Sequence, residues 1–175
     1  MSDGLCALIE AGVLVPVYRA ENGALMLVLV RRVEGGAHGG QIALPGGKRI
    51  PSDACMAETA LRESREEIGL VAENVEILEA LPVMETRTTG FKIFPFLARI
   101  NRPDRWCMDD QEIAEILEVP VEELARPEAR GEEMRRFGRN PEPQPVHFFR
   151  VGTHKLWGAT YRILEPLIPR LARQE

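Results

Sequence analysis

Three glutamates whose chemistry suits metal binding stand close together in the sequence, at Glu63, Glu66 and Glu67. Their i, i+3 and i+4 spacing brings them to one part of a helix surface, where carboxylates repel one another by on the order of a few tenths of a kcal/mol. A divalent cation would offset this repulsion, since Mg²⁺ and Mn²⁺ prefer oxygen ligands and Mg²⁺ typically joins one or two carboxylates to substrate phosphates. The alternative is a solvated acidic face in which Arg62 pairs with Glu66.

The segment that must position these carboxylates is a glycine loop followed by one amphipathic helix. Pro45-Gly46-Gly47 interrupts regular structure, Ser52 and Asp53 are candidate N-caps, and Gly69 is a suitable C-terminal stop. The pattern therefore predicts a helix from about residue 53 to residue 68.

This helix is expected to pack against a sheet through a stripe of small and apolar side chains. On a helix of about 100° per residue the stripe consists of Ala57, Ala60, Leu61, Ser64 and Ile68. Glu63 and Glu67 then lie nearest to the buried edge, and Glu66 turns further toward solvent.

The glycine loop and the helix together resemble the signature of the Nudix hydrolases. The resemblance is carried by Gly47, the acid Asp53 after five intervening residues, and the run Arg62-Glu63-Ser64-Arg65-Glu66-Glu67-Ile68-Gly69-Leu70. Eight residues rather than the common seven separate Asp53 from Arg62, and Ser64 stands where an aliphatic side chain is usual. Both departures resemble the coenzyme A pyrophosphatase branch of that family.

Other segments resemble the same branch. They are His38-Gly39, the loop from Thr88 to Phe91, and Leu156-Trp157-Gly158-Ala159-Thr160. The branch usually has Phe where Leu44 stands, and its arginine motif ends in Ser where Val33 follows Arg32.

The resemblance implies an α/β fold, an α/β/α sandwich with a mixed β-sheet, and one Nudix domain over residues 1–175. The implied reaction is hydrolysis of a pyrophosphate bond in a nucleoside diphosphate derivative, with coenzyme A or acyl-CoA giving 3′,5′-ADP and (acyl-)4′-phosphopantetheine. The alternatives are a Nudix pyrophosphatase for ADP-ribose, another dinucleotide or a (deoxy)nucleoside triphosphate, and a non-catalytic nucleotide-binding module on the same fold.

The resemblance also implies roles for individual residues. Glu63 and Glu67 are expected to ligate Mg²⁺ or Mn²⁺ together with the Gly47 carbonyl, and Glu66 to add a ligand or activate water. Either Glu66 or Glu112 would take the proton. Glu112, or less favourably Glu115, is the acid at the start of a strand that would reach the metal site, and the alternative for each is a solvent-facing acid. Phosphate would be bound by three cations, Arg31, Arg32 and Lys48. Arg62 is expected to orient its neighbouring acids.

Composition narrows the classes of partner. The net charge of −5 argues against broad affinity for nucleic acid, and the resemblance implies a small-molecule nucleotide as the partner. The three cysteines fit neither a disulfide framework nor a metal pattern, which indicates a reducing cytoplasm. No apolar run approaches a membrane span and the N-terminus has no positively charged region, so neither a membrane span nor a signal peptide is expected. A cytoplasmic monomer or homodimer is expected.

The rest of the chain predicts strands and short helices around the signature helix. Asn22-Gly23 between two apolar runs predicts a hairpin. Strands are predicted over 71–84 and 91–100, followed by a strand and a short helix within 111–124. Residues 126–145 are predicted to form an exposed excursion with a helix near 128–137. A last strand is predicted over 147–151, followed by a helix that Thr153 caps and that carries Trp157 and Tyr161 on one face.

Overall fold

The computed structural model describes residues 8–35, 39–86, 89–137 and 142–173. Cys6, His38 and Thr88 lie outside the described residues. In chain order the elements are β1 (Ile9–Arg19), β2 (Leu25–Arg32), β3 (Ile42–Ala43), β4 (Gly46–Lys48), α1 (Met56–Ile68), β5 (Val75–Ala80), β6 (Met84–Glu85), β7 (Phe91–Ile100), β8 (Ile113–Pro120), α2 (Val121–Ala125), β9 (Arg130–Arg135), β10 (Gln144–Val151), β11 (His154–Trp157), α3 (Gly158–Leu164) and α4 (Ile168–Leu171).

The main sheet is mixed. Its strands follow the order β3-β2-β1-β7-β5, while β4 pairs with β1, β6 with β7 and β8 with β2. Strands β1 and β7 run parallel, and the other pairs are antiparallel. The predicted hairpin around Asn22-Gly23 is confirmed, since β1 and β2 pair from Val17 with Leu27 to Arg19 with Leu25.

Two apolar clusters lie on the two sides of this sheet. One side packs against α1 through Leu14, Val28, Ala60 and Ile68. The other side joins residues of the sheet to α2, α3, α4 and a second sheet of order β11-β10-β9. This layering confirms the predicted α/β/α sandwich with a mixed β-sheet.

Helix α1 begins later than predicted. Its first residue is Met56 and its N-cap is Cys55, whose side chain makes no capping hydrogen bond, so the prediction of Ser52 or Asp53 as cap is wrong. Gly69 ends the helix as predicted, in the left-handed conformation at φ 72°. The buried set also differs from the predicted stripe, because Thr59 and Glu67 are buried whereas Ala57 and Leu61 are only partly covered.

The helix approaches β1 closely at Gly12. A Cβ atom at this position would lie 2.5 Å from the Met56 carbonyl oxygen and 2.9 Å from the Ala60 amide nitrogen. Because both are backbone atoms, a side chain here would force the helix away from the sheet.

The C-terminal third differs most from the prediction. Residues 130–135 form strand β9 rather than a helix, because they pair with β10 from Arg130 with Phe149 to Arg135 with Gln144. Strand β10 is not the last, since a turn through Gly152 leads into β11. Thr153 therefore caps no helix, and Trp157 lies on β11 as the residue that precedes α3.

Among the described residues, none of the helices has the length and the apolar character that crossing a bilayer would require.

Candidate active site

The three glutamates of α1 differ sharply in exposure. The exposed fraction of the side chain is 3% for Glu67, 16% for Glu63 and 58% for Glu66. This order confirms the prediction from helical periodicity. Two carboxylates are thus sheltered between α1 and the glycine loop, and the third faces solvent.

Glu67 is held by the backbone of the glycine loop and by one arginine. The Gly46 amide donates to Glu67 Oε2 at 2.9 Å, and Arg32 Nη1 donates to Glu67 Oε1 at 3.2 Å. Burial raises the pKa of Glu67 to about 7, although the Gly46 hydrogen bond and the charge of Arg32 act in the opposite direction. The negative charge of this carboxylate is therefore only partly compensated by the protein.

Glu63 lies directly against Gly47. A Cβ atom at position 47 would stand 2.4 Å from the Glu63 carboxyl carbon, so the carboxylate occupies the space of the missing side chain. Burial raises the pKa of Glu63, and the nearby negative charges of Glu66 and Glu112 raise it further. Arg62 acts in the opposite direction, because its Nη2 lies 2.9 Å from Glu63 Oε1.

Arg62 connects the acids of this region, as expected. Its guanidinium donates to Glu66 Oε2 at 2.8 Å and to the Lys48 carbonyl at 2.9 Å, besides its contact with Glu63. On its other side it donates to Asp53, with 3.0 Å between Nε and Oδ1.

Asp53 has a function in the fold that sequence reasoning missed. Its Oδ2 accepts hydrogen bonds from Thr59 Oγ1 at 2.9 Å and from the Ile50 amide at 3.1 Å. The hydrogen bond from Arg62 holds the pKa of Asp53 at about 2, below its usual range. Asp53 thus fixes Arg62 rather than capping the helix. The one signal in the sequence was an acid nine residues before an arginine, and this spacing is equally compatible with a cap.

Arg32 and Glu112 complete the cluster. Arg32 bridges two acids, because its Nη2 also lies 3.4 Å from Glu112 Oε2. Glu112 comes immediately before β8, its side chain is 54% exposed, and its charge raises the pKa values of both Glu63 and Glu67 after the larger effect of burial. Acids from two distant parts of the chain therefore interact here.

The remaining predicted site residues make contacts outside this cluster. They are Arg31, Lys48 and Glu115. Arg31 Nε donates to Glu115 Oε2 at 3.0 Å, and His154 Nε2 lies 3.6 Å from the same oxygen. Arg31 and Arg32 are consecutive on β2 and contact different acids, as expected where strand side chains alternate between faces. The Lys48 ammonium lies 5.8 Å from the centre of the Phe91 ring.

The donor set fits a hard divalent cation. Within the described ranges, no three His, Cys, Asp or Glu side chains form a ready-made ligand group. Mg²⁺ does not need one, because it is usually bound through one or two carboxylates and keeps several waters. Glu63 and Glu67 supply two sheltered carboxylates. Gly47 has no side chain that would displace the Glu63 carboxylate.

Comparisons with known proteins point to one family. The family model described as the NUDIX domain matches residues 9–140. A protein of Pectobacterium atrosepticum is 36% identical over 65% of this chain, and one of Citrobacter koseri is 32% identical over 87% of it. Both are described as uncharacterized Nudix hydrolase NudL, and the chain spans 58% and 72% of their respective lengths.

A solved structure shows the same fold. The MutT/nudix family protein from Enterococcus faecalis superposes with a TM-score of 0.60 at 19% identity, covering 99% of this chain and 64% of that protein.

Proposed function

This chain belongs to the Nudix family, and we propose that it is a hydrolase that cleaves a pyrophosphate bond in a nucleoside diphosphate derivative with a divalent cation. The observation that carries the proposal is the pair of sheltered carboxylates, Glu63 and Glu67, pressed against Gly46-Gly47. We also propose that residues 1–175 form a single domain.

Mg²⁺ or Mn²⁺ would be held by Glu63, Glu67 and the Gly47 carbonyl, with Glu66 as a further ligand. When bound, the cation would neutralise charge on the phosphoryl oxygens and lower the pKa of a water. The repulsion between the α1 carboxylates and their shelter from solvent both favour cation binding. The contacts of Arg62 with Glu63 and Glu66 would hold both carboxylates in place for the cation.

In the reaction the oxygen of a water bonds to one phosphorus, the bridging P–O bond breaks, and the other phosphate leaves. The water proton would pass to a carboxylate. Glu112 is the acceptor that we favour over Glu66. Glu66 already accepts from Arg62 at 2.8 Å, whereas the contact of Glu112 with Arg32 is longer, at 3.4 Å, and half of its side chain is open to solvent.

Arg32 and Lys48 are proposed to bind substrate phosphate. Arg32 is already beside the carboxylates, and its planar guanidinium suits two phosphate oxygens at once. Lys48 follows Gly47 directly and would act as a point charge. Arg31 could bind phosphate only after leaving Glu115, so its contribution is expected to be the smallest of the three.

Coenzyme A or an acyl-CoA is the substrate that we propose, with 3′,5′-ADP and (acyl-)4′-phosphopantetheine as products. Support comes from the segments that resemble the coenzyme A branch, including Ser64 and the run from Leu156 to Thr160. The alternatives are ADP-ribose, another dinucleotide or a (deoxy)nucleoside triphosphate, because the α1 residues handle the diphosphate rather than the rest of the ligand.

We further propose a cytoplasmic monomer or homodimer that binds neither nucleic acid nor membrane. The net charge of −5 supports the first exclusion, since nucleic acid favours a basic surface.

The test is a substrate panel with Mg²⁺ and with Mn²⁺, comparing coenzyme A, ADP-ribose, a dinucleotide and a nucleoside triphosphate. Mass analysis of products formed in ¹⁸O-water identifies the phosphorus that is attacked. The variant Glu67→Gln is expected to lower kcat at least about a hundredfold, because a metal ligand is lost. Glu73→Gln, at an exposed site just after α1, is the matched control.

Coenzyme A hydrolysis that requires the cation and Glu67 would support the proposal. Preference for another panel member would replace coenzyme A with that substrate. Nucleotide binding without product on any substrate would favour the non-catalytic module instead.

A further inference from the structure

A four-residue turn carries Glu112 to the acidic cluster, and Asp109 builds this turn. The Asp109 carbonyl accepts hydrogen bonds from the Glu112 amide at 3.1 Å and from the Ile113 amide at 2.8 Å. The Asp109 side chain also bonds within the turn, since Oδ1 accepts from the Gln111 amide at 3.0 Å. The backbone direction at Glu112 is thus fixed by one residue three positions earlier.

The same residue ties the turn to α1. The Asp109 amide donates to the carbonyl of Glu67 at 3.0 Å, and the Cys107 amide donates to the carbonyl of Ile68 at 3.3 Å. These bonds satisfy carbonyls at the C-terminal end of α1, where a helix has no partners of its own. One backbone contact therefore joins the residue that shapes the turn to a residue of the acidic cluster.

The far end of the turn is attached to the sheet. The Val33 amide, just after β2, donates to the Glu112 carbonyl at 2.9 Å. Arg32, the last residue of β2, contacts both Glu67 and Glu112. Glu112 is therefore held between α1 and β2, although its own side chain is largely open to solvent.

We propose that Asp109 is a positioning residue that sets the distance between Glu112 and the carboxylates of α1. The inference rests on the proposed function, in which Glu112 takes a proton. It assigns the effect to the hydrogen-bond acceptor of the Asp109 side chain rather than to its negative charge. Displacement of a catalytic group by about 1 Å can cost on the order of a hundredfold in rate, so a loosened turn is expected to slow turnover.

Substitution of Asp109 by Asn and by Ala distinguishes an effect of its hydrogen-bond acceptor from an effect of its negative charge. Asp109→Asn keeps an acceptor oxygen at the same place and removes the charge, whereas Asp109→Ala removes both. Asp110→Ala is the matched control, because it removes the same charge from the neighbouring exposed position. Each change is made in the full chain, alone and together with Glu112→Gln, and kcat and KM are measured with Mg²⁺.

We expect Asp109→Ala to lower kcat about tenfold or more with KM changed less than about twofold. Asp109→Asn and Asp110→Ala should retain nearly full kcat. Asp109→Ala should have no further effect once Glu112 is Gln. An equal loss in Asp109→Asn, or a full additional loss in the double variant, would overturn the inference.

Amide hydrogen exchange at Val33 gives a second readout that does not depend on turnover. Asp109→Ala should speed this exchange about tenfold, because the hydrogen bond to the Glu112 carbonyl weakens, while Asp109→Asn leaves it unchanged. Unchanged exchange in Asp109→Ala would refute the positioning role. Failure of the wild-type protein to hydrolyse any substrate would refute the proposed function alone.

Discussion

Among single residues, Glu67 is a carboxylate that is almost fully buried. Burying an ionised carboxylate costs free energy unless partners compensate its charge. The Gly46 amide and Arg32 compensate part of it, yet burial still leaves the pKa of Glu67 raised to about 7. A divalent cation would provide the missing compensation and would compete with Arg32 for the same carboxylate.

This competition leads to a prediction for Arg32. The variant Arg32→Gln should bind Mn²⁺ roughly two- to fivefold more tightly, because the lost ion pairs no longer oppose cation binding. Its kcat/KM should nevertheless fall, since the substrate phosphate loses a proposed partner. Mn²⁺ affinity is measured by calorimetry on the variant without substrate.

The control for this measurement is the adjacent arginine. Arg31→Gln removes the same charge but affects the pair with Glu115, so its Mn²⁺ affinity should stay at the wild-type value. Weaker Mn²⁺ binding by Arg32→Gln would contradict the competition.

The relative exposure of Glu63, Glu66 and Glu67 was predictable from the sequence because helical periodicity determines it. The hydrogen bonding of Arg62 to Asp53 was not predictable from the sequence, since an acid before a helix is equally suited to capping. Arg31 and Arg32 were grouped as phosphate ligands because they are adjacent in sequence. On a strand, however, adjacent side chains turn to different sides, and these two arginines contact different acids.

At the scale of elements, two glycines set the distance between α1 and the strands beneath it. A Cβ atom added at Gly12 would lie 2.5 Å from helix backbone, whereas one added at Gly47 would meet the end of the Glu63 side chain. Backbone cannot yield without moving the helix, while a side chain can rotate away.

Alanine should therefore affect stability more at Gly12 and activity more at Gly47. Gly12→Ala is expected to lower the free energy of unfolding by about 1 to 3 kcal/mol. Gly47→Ala should change stability less but lower kcat more, because Glu63 is displaced. Urea unfolding and steady-state kinetics measure the two effects, and equal stability losses in both variants would contradict this explanation.

Elements with local signals were predictable. The β1–β2 hairpin follows from Asn22-Gly23, and the end of α1 follows from Gly69. Strand β9 was missed because its sequence, Arg-Gly-Glu-Glu-Met-Arg, is polar and has low strand propensity. Its conformation depends on pairing with β10, which is a non-local interaction.

At the scale of the whole molecule, Glu118 joins three parts of the chain. It accepts hydrogen bonds from Arg102 at 2.7 Å and from Trp106 at 2.9 Å in the loop before β8, and from Tyr18 on β1. Burial alone would raise the pKa of Glu118, but these donors outweigh it and lower the pKa to about 2.

This lowered pKa predicts how stability depends on pH. A carboxyl group with a lower pKa in the folded state stabilises it above the unfolded value of 4.5, and the contribution disappears as pH falls toward 2. Glu118→Gln should therefore be less stable than wild type at pH 7, by about 1 to 2 kcal/mol, and the difference should shrink between pH 4.5 and 2.

Urea unfolding across this pH range tests the prediction, with Glu122→Gln as control because that side chain is 71% exposed. A stability difference that stays constant down to about pH 2 would show that Glu118 does not act through its charge.

The overall architecture was predictable because the glycine loop and signature helix together resemble one family. The second sheet, formed by β9, β10 and β11, was not, because only β10 was predicted as a strand, and β9 and β11 are fixed by pairing with it. The grouping of Glu112 with α1 was expected from the resemblance alone, since the two are distant in sequence.

We propose that one turn of α1 holds the cation. Titration of Mn²⁺ followed by electron paramagnetic resonance tests it directly on the wild-type protein and on Glu63→Gln, Glu67→Gln and Glu73→Gln. Both cluster variants should lose at least about tenfold in Mn²⁺ affinity, while Glu73→Gln binds as the wild type does. Wild-type affinity in both Glu63→Gln and Glu67→Gln would contradict the claim.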